Sequence, residues 1–183
     1  MKNPISRLHN IVNGGLRKAK LRFMGSNLDL AVEAQDFDEA SYLWSVIVRR
    51  RPRQLIEIGR WLGGSTVLLS AAAATYGGNG SSVDLKLKAP AYADDKLIVE
   101  LLSRLQLKNC ELHVRDSRTF VPGKHMEFAF IDGDHSYAGV KTDFENLAKS
   151  LNRGADVLFH DSCASRPFAT NHDSPTAYMT ELK

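Results

Sequence analysis

Short apolar runs that alternate with amphipathic helical stretches limit this chain to few architectures. The runs are QLIEIG (54–59), SSVDLKL (81–87), CELHVRDS (110–117), EFAFIDG (127–133) and DVLFHDS (156–162). Each is short enough for a buried strand. Between them, STVLLSAAAATYGG places Ser65 near a helix start and Gly77 beyond its end. ADDKLIVELLSRLQL puts Ile98, Leu101, Leu102 and Leu105 on one helical face. YAGVKTDFENLAKSLNRGA spaces Val140, Phe144, Leu147 and Leu151 by 4, 3 and 4, with Gly154 expected to close the helix. A further helix, DEASYLWSVIV (38–48), is stopped by Pro52. Strands alternating with helices predict a doubly wound, mostly parallel α/β sheet covered on both faces.

The chain's 183 residues suit one domain. We expect it to span 35–183, preceded over 1–34 by a basic arm with a short helical piece, broken at Gly14, Gly15 and Gly25. Residues 1–53 hold 10 Lys/Arg against 5 Asp/Glu, and the remainder 14 against 16. A solvated helix face and a basic helix end, or contact with an acidic substrate, a partner or a membrane surface, would account for this surplus, which is too small to argue for nucleic acid. No apolar run approaches the ~20 residues of a membrane span. The start shows no export signal, and Cys110 and Cys163 form neither a metal-type spacing nor a disulfide framework. A cytoplasmic location is expected, and a homo-oligomer is left open.

In doubly wound sheets ligands bind beyond the carboxyl ends of the strands, so the strand-end residues matter most. The first run continues as Glu57-Ile58-Gly59-Arg60-Trp61-Leu62-Gly63-Gly64-Ser65. Its glycines permit a tight turn and close approach to a ligand, and the next helix start supplies free N–H groups. The spacing is not G-x-G-x-x-G, because position 61 is Trp, which speaks against a nicotinamide cofactor. Glu57 suits a ligand with an amino group, and Asp84 could take two ribose hydroxyls.

IEIGRWLGGST, VDL, FIDGDHSYAGVKTDFENL and LFHDS together resemble the class I S-adenosylmethionine-dependent methyltransferases over roughly 35–162. Within them the chain is most similar to methyltransferase family 24, a branch related to macrolide-sugar and catechol-type O-methyltransferases. The resemblance implies a Rossmann-like methyltransferase fold with S-adenosylmethionine as cofactor. Glu57, Gly59 and Gly63 would cradle its methionine end, with Ser65 at the start of the next helix. Asp84 would hold the ribose, and Asp116 and Ser117 would border the adenine. Such enzymes continue past the fifth strand with a helix and a β-hairpin. These do not fit in the 21 residues after Ser162, so the C-terminal strands are expected to be missing or truncated.

Neighbouring fourth and fifth strands would lie about 4.8 Å apart and bring Asp132 and Asp161 together. Two such carboxylates repel unless neutralised, and a hard divalent cation does this. In related metal-dependent O-methyltransferases, acids at these two strand ends hold such an ion, so Asp132, Asp161 and His160 are the expected ligands, with Mg²⁺ or Mn²⁺ the expected metal. A nitrogen ligand at His160 would move the preference from Mg²⁺ toward Mn²⁺, Fe²⁺ or Zn²⁺. His135 forms with Asp132 a D-x-x-H arrangement also found in sugar O-methyltransferases of this group, where the histidine is the proposed base. It is therefore the expected catalytic residue. Asp134 reads as a helix cap, and His9, His113, His125 and His172 as surface or packing residues.

The function expected is a metal-assisted O-methyltransferase for a small hydroxylated metabolite or sugar. The alternatives are an oxidoreductase or hydroxylase on the same fold, or a degenerate cofactor-binding module without catalysis. A nucleic-acid methyltransferase would show an N/D-P-P-F/Y-type tetrapeptide after the fourth strand to hold a flipped base. This chain has Asp132-Gly133-Asp134-His135 there, so nucleic acid is not the expected partner.

Overall fold

The computed structural model describes residues 37–85, 95–162 and 173–182. The expected basic arm, Cys163, His9 and His172 lie outside the described residues. In chain order the elements are α1 (Phe37–Arg50), β1 (Gln54–Ile58), α2 (Gly64–Ala74), β2 (Asn79–Asp84), α3 (Asp95–Arg104), β3 (Cys110–Val114), β4 (Met126–Ile131), α4 (Tyr137–Ala148), β5 (Leu151–Phe159) and α5 (Pro175–Glu181).

The strands form one sheet in the order β3-β2-β1-β4-β5. β1 runs parallel to β4, with Leu55 opposite Phe128 and Ile58 opposite Ile131. β4 runs parallel to β5, with Phe130 opposite Leu158. The order grows outward in one direction through β2 and β3 and in the other through β4 and β5, so it reverses between β1 and β4. This is the doubly wound Rossmann-like methyltransferase fold that the sequence predicted.

The chain divides into two compact units. One contains α1, α2 and α3. Here Leu43, Trp44, Val46 and Ile47 of α1 are buried, as are Val67, Leu69 and Ala71 to Ala73 of α2. α1 ends where expected: Arg51 turns into the left-handed region (φ 54°), its N–H still reaching the Ile47 carbonyl at 2.8 Å, and Pro52 follows.

The other unit contains β1, most of β2 and β3, and all of β4, β5, α4 and α5. Its core joins Ile56, Ile58, Val83, Met126, Ala129, Ile131 and Leu147, flanked by Phe120, Phe144, Val157 and Phe159. In β1, Leu55 to Ile58 are all buried, and in β4, Phe128 to Ile131. Unbroken burial along a strand means cover on both of its faces, which explains the continuous apolar runs.

Several boundaries differ from expectation. β2 starts at Asn79 and ends at Asp84, and β3 ends at Val114, which leaves Asp116 in the following turn. The helix expected to close at Gly154 stops at Ala148. The Met126 N–H donates to the Ser150 carbonyl at 2.8 Å, so strand pairing captures the chain directly after the helix. Gly154 therefore lies inside β5, at φ +84°. Near the end of the described residues, α5 packs on α4 and β5 through Phe144, Phe159 and Tyr178, with ring centroids 5.5–6.4 Å apart.

Candidate active site

The carboxyl ends of β1 and β4 meet where the strand order reverses, the position at which such sheets bind ligands. There the Asp132 N–H donates to the Ile58 carbonyl and the Gly59 N–H to the Val83 carbonyl, each at 2.8 Å. Gly59 has φ +83°, and a Cβ on it would fall 2.1 Å from the Asp132 carbonyl oxygen. No other residue fits this contact.

The expected acids flank this junction. Glu57 is 1% exposed, and its Oε2 accepts the Ser82 hydroxyl at 2.5 Å. Asp84 Oδ2, at the end of β2, accepts the Arg60 N–H at 2.8 Å. Beyond β3, Arg118 grips the Asp116 carboxylate through Nε and Nη2. These hydrogen bonds hold the Asp116 carboxyl below the usual carboxylate range. The Ser117 hydroxyl donates to Asp143 Oδ1 at 2.6 Å, so its proton is committed within the protein. Gly63 and Ser65 belong to the helical unit. Gly63 is the N-cap of α2 at φ +84° and provides no side-chain cap. A Cβ on it would strike Ile98 Cγ1 at 2.5 Å.

A second constellation stands at the ends of β4 and β5. Asp132 Oδ1 lies 2.8 Å from His160 Nδ1 and 3.1 Å from His135 Nε2. Asp161 Oδ2 lies 3.0 Å from His135 Nδ1 and 3.6 Å from His160 Nδ1. His135 thus bridges both carboxylates through its two ring nitrogens. Its hydrogen bond to Asp132 raises its pKa against the opposing effect of burial. Burial pushes the Asp132 carboxyl up, but hydrogen bonds from His135 and His160 outweigh it and hold the group below its ordinary value. His160 is set by its N–H donating to the Ile131 carbonyl at 3.0 Å. Asp161 sits at φ +50°, a left-handed conformation that a non-glycine residue rarely adopts outside turns and functional sites.

Of the expected metal ligands, Asp132 and His160 form one set with the expected base His135, whereas Asp161 adjoins it only through His135 and His160. Ligand atoms of Asp132, His135 and His160 lie within 4.8 Å of one another. Mixed carboxylate and imidazole donors at this spacing fit a divalent ion, and the imidazoles favour a first-row transition ion over Mg²⁺. Asp134 is not the helix cap that the sequence suggested: its Oδ1 accepts the Ser136 N–H at 3.1 Å, in the turn before α4. Ser136 is the N-cap of α4 and accepts the Gly139 N–H at 3.0 Å. His113 packs against Phe120 with ring centroids 4.9 Å apart, in keeping with a packing role.

Arg60, Ser82 and Asp143 were not expected at the site. Arg60 follows a glycine in the turn and Ser82 precedes the apolar part of its strand, so neither carries a sequence signal of burial. No helix among the described residues is long and apolar enough to cross a membrane.

In solved structures the fold is similar to the O-methyltransferase TomG from Streptomyces achromogenes, involved in tomaymycin synthesis, in complex with S-adenosylmethionine. That match has TM-score 0.66 at 16% identity, covering 100% of this chain and 84% of that one. An O-methyltransferase from Bacillus cereus in complex with S-adenosylhomocysteine gives TM-score 0.61 at 15% identity, covering 100% and 76%. CalS11, a TDP-rhamnose 3'-O-methyltransferase of calicheamicin biosynthesis, gives 0.59 at 16%, covering 90% and 78%. A family model described as a methyltransferase domain, that of methyltransferase family 24, matches residues 56–162, more than half of the chain. The span runs from the glycine turn through both acid-bearing strand ends, and the chain belongs to this family of class I S-adenosylmethionine-dependent methyltransferases.

Proposed function

We propose that the chain transfers a methyl group from S-adenosylmethionine to a hydroxyl of a small metabolite or sugar, assisted by a divalent metal ion. The observation that carries this is the cluster of two carboxylates and two imidazoles at the ends of β4 and β5, beside the glycine turn at the reversal point. A sugar acceptor is in keeping with the fold shared with the TDP-rhamnose methyltransferase.

In this reading Glu57 and Gly59 hold the methionine end of the cofactor. Asp84 accepts from the ribose hydroxyls. Asp116 and Ser117 border the adenine by position, since their side chains are engaged by Arg118 and Asp143. The cofactor supplies a methyl on a sulfonium, transferred by in-line displacement with the carbon–sulfur electron pair left on sulfur. Asp132, Asp161 and His160 would hold a divalent ion, which would supply positive charge that lowers the pKa of the acceptor hydroxyl. His135, the most exposed of the four at 45%, takes up the hydroxyl proton. It does so on whichever ring nitrogen turns from its carboxylate to the acceptor. Holding the acceptor oxygen in line with the methyl carbon is the remaining contribution of the site.

Calorimetry with S-adenosylmethionine, with and without Mn²⁺, tests the reading. A folded protein is expected to bind the cofactor and to turn over a hydroxylated acceptor only with the ion present. Absence of cofactor binding would sink the methyltransferase proposal. Turnover insensitive to chelator would remove the metal and leave the transferase.

A further inference from the structure

Arg60 is one of the most deeply buried side chains, 2% exposed. Its Nη1 donates to two carbonyls on neighbouring strands, Ser82 of β2 at 3.0 Å and His113 of β3 at 2.9 Å. Its own backbone N–H donates to Asp84 Oδ2 at 2.8 Å. Ser82, whose carbonyl receives the guanidinium, gives its hydroxyl to Glu57. One residue thus touches the ends of β2 and β3, the Asp84 carboxylate, and the serine that orients Glu57.

Packing alone does not account for an arginine here. Taking a guanidinium out of water is costly, and an apolar side chain of similar volume commonly serves stability as well or better. What an apolar residue cannot do is donate to two carbonyls on separate strands. The planar guanidinium can, because the two hydrogens on one Nη diverge in a fixed plane; a lysine ammonium lacks that geometry. The effect at the site is indirect. With the side chain anchored on β2 and β3, the backbone of residue 60 is fixed, and its N–H holds one oxygen of Asp84 and with it the carboxylate plane.

We propose that Arg60 is a positioning residue for the cofactor's ribose: it aligns the Asp84 carboxylate with the ribose hydroxyls and so sets the preference for a ribose over a sugar that lacks both hydroxyls. This rests on the reading of Asp84 as the ribose ligand.

The test is calorimetric affinity for S-adenosylhomocysteine and for its 2′,3′-dideoxyribose analogue, in wild type, Arg60→Met, Arg60→Lys, Asp84→Asn and Arg60→Met/Asp84→Asn. Thermal unfolding is recorded for each. Arg60→Met is expected to weaken S-adenosylhomocysteine about tenfold, the scale of a hydrogen bond to a charged group, while the dideoxy analogue changes by less than about twofold. Added to Asp84→Asn, it should cost no further affinity. Arg60→Lys should recover part of the loss. Equal weakening of both ligands, or a full additional loss in the Asp84→Asn background, would assign Arg60 to general packing and overturn the proposal. Should Arg60→Met fail to fold, Arg60→Lys carries the same comparison: selective weakening of S-adenosylhomocysteine supports the proposal, and equal weakening of both ligands overturns it. A folded wild type that binds neither ligand brings down the cofactor reading itself. A wild type that binds both equally removes only the ribose assignment and this proposal with it.

Discussion

Asp143 is 4% exposed on α4, with the Ser117 hydroxyl on its Oδ1 and Gly133 packed so close that a Cβ there would lie 2.9 Å from Oδ2. Burial raises its pKa above the ordinary carboxylate value, and the Ser117 hydrogen bond offsets this only in part. The folded state therefore binds this proton more tightly than the unfolded state does. Stability falls as pH rises from the unfolded carboxyl's pKa through the higher folded one, and stays lower above it. Asp143→Asn keeps an oxygen to accept from Ser117 and removes the charge. It is expected to melt a few degrees above wild type at pH 7 and to match it at a pH where Asp143 is protonated in both states; thermal unfolding from about pH 2.5 to about pH 8 checks this. A gain that persists unchanged at low pH would show that burial of the charge is not the cause. Such a residue was not legible in the sequence, because KTDFENL offers several polar positions along one helix and only the chain folded back at Ser117 and Gly133 selects Asp143. Asp132 and Asp161 were legible for the opposite reason. An acid directly after an apolar run can only emerge at the end of a buried strand.

Gly59 and Gly154 share nearly the same backbone conformation, at φ +83° and +84°, yet they serve their elements differently. At Gly59 the chain leaves β1 against the backbone of β4, and a Cβ would overlap the Asp132 carbonyl oxygen at 2.1 Å. At Gly154 nothing lies within 4 Å of a Cβ. Gly154→Ala is expected to cost about 1–2 kcal/mol, the penalty for a left-handed alanine. Gly59→Ala adds a backbone clash that neither strand can yield to, and is expected to cost more than about 4 kcal/mol or to prevent folding. Urea unfolding of both variants compares them directly, and similar losses would contradict the tight junction of β1 and β4. The same pair shows where the elements could be read. Gly59 was recognised because a turn after a strand needs such a residue. Gly154 reads as a helix end because Leu147 and Leu151 keep helical spacing across the boundary. In the fold Leu151 already lies opposite Met126, and five residues of β5, to Asp156, advance beside two of β4. That irregularity absorbs the glycine, and no local pattern announces it, since it follows from pairing with a strand some 25 residues earlier.

For the whole molecule, the strand order does more than place a site at the reversal point. It sorts the acids by function. Glu57 is the last residue but one of β1 and Asp84 ends β2, on the side read as holding the cofactor; Asp132 and Asp161 follow β4 and β5, on the side read as holding the ion. The two sets meet through the tight pairing of Ile58 and Gly59 with Asp132, which involves main-chain atoms and Gly59 rather than carboxylates. Side-chain changes on one side should therefore leave the other intact, since groups without shared partners behave additively. Asp84→Asn is expected to weaken S-adenosylhomocysteine about tenfold or more while Mn²⁺ binding is unchanged. Asp132→Ala and Asp161→Ala are expected to abolish Mn²⁺ binding, seen by electron paramagnetic resonance of the free ion, with S-adenosylhomocysteine affinity within about twofold of wild type. Asp132→Ala also takes from His135 the carboxylate on its Nε2, so turnover should fall along with ion binding even though the cofactor still binds. If Asp132→Ala lowered cofactor affinity as far as Asp84→Asn does, the two sets of acids would have to be one coupled site. The division of labour across the sheet would then be wrong, although the fold that suggested it would stand.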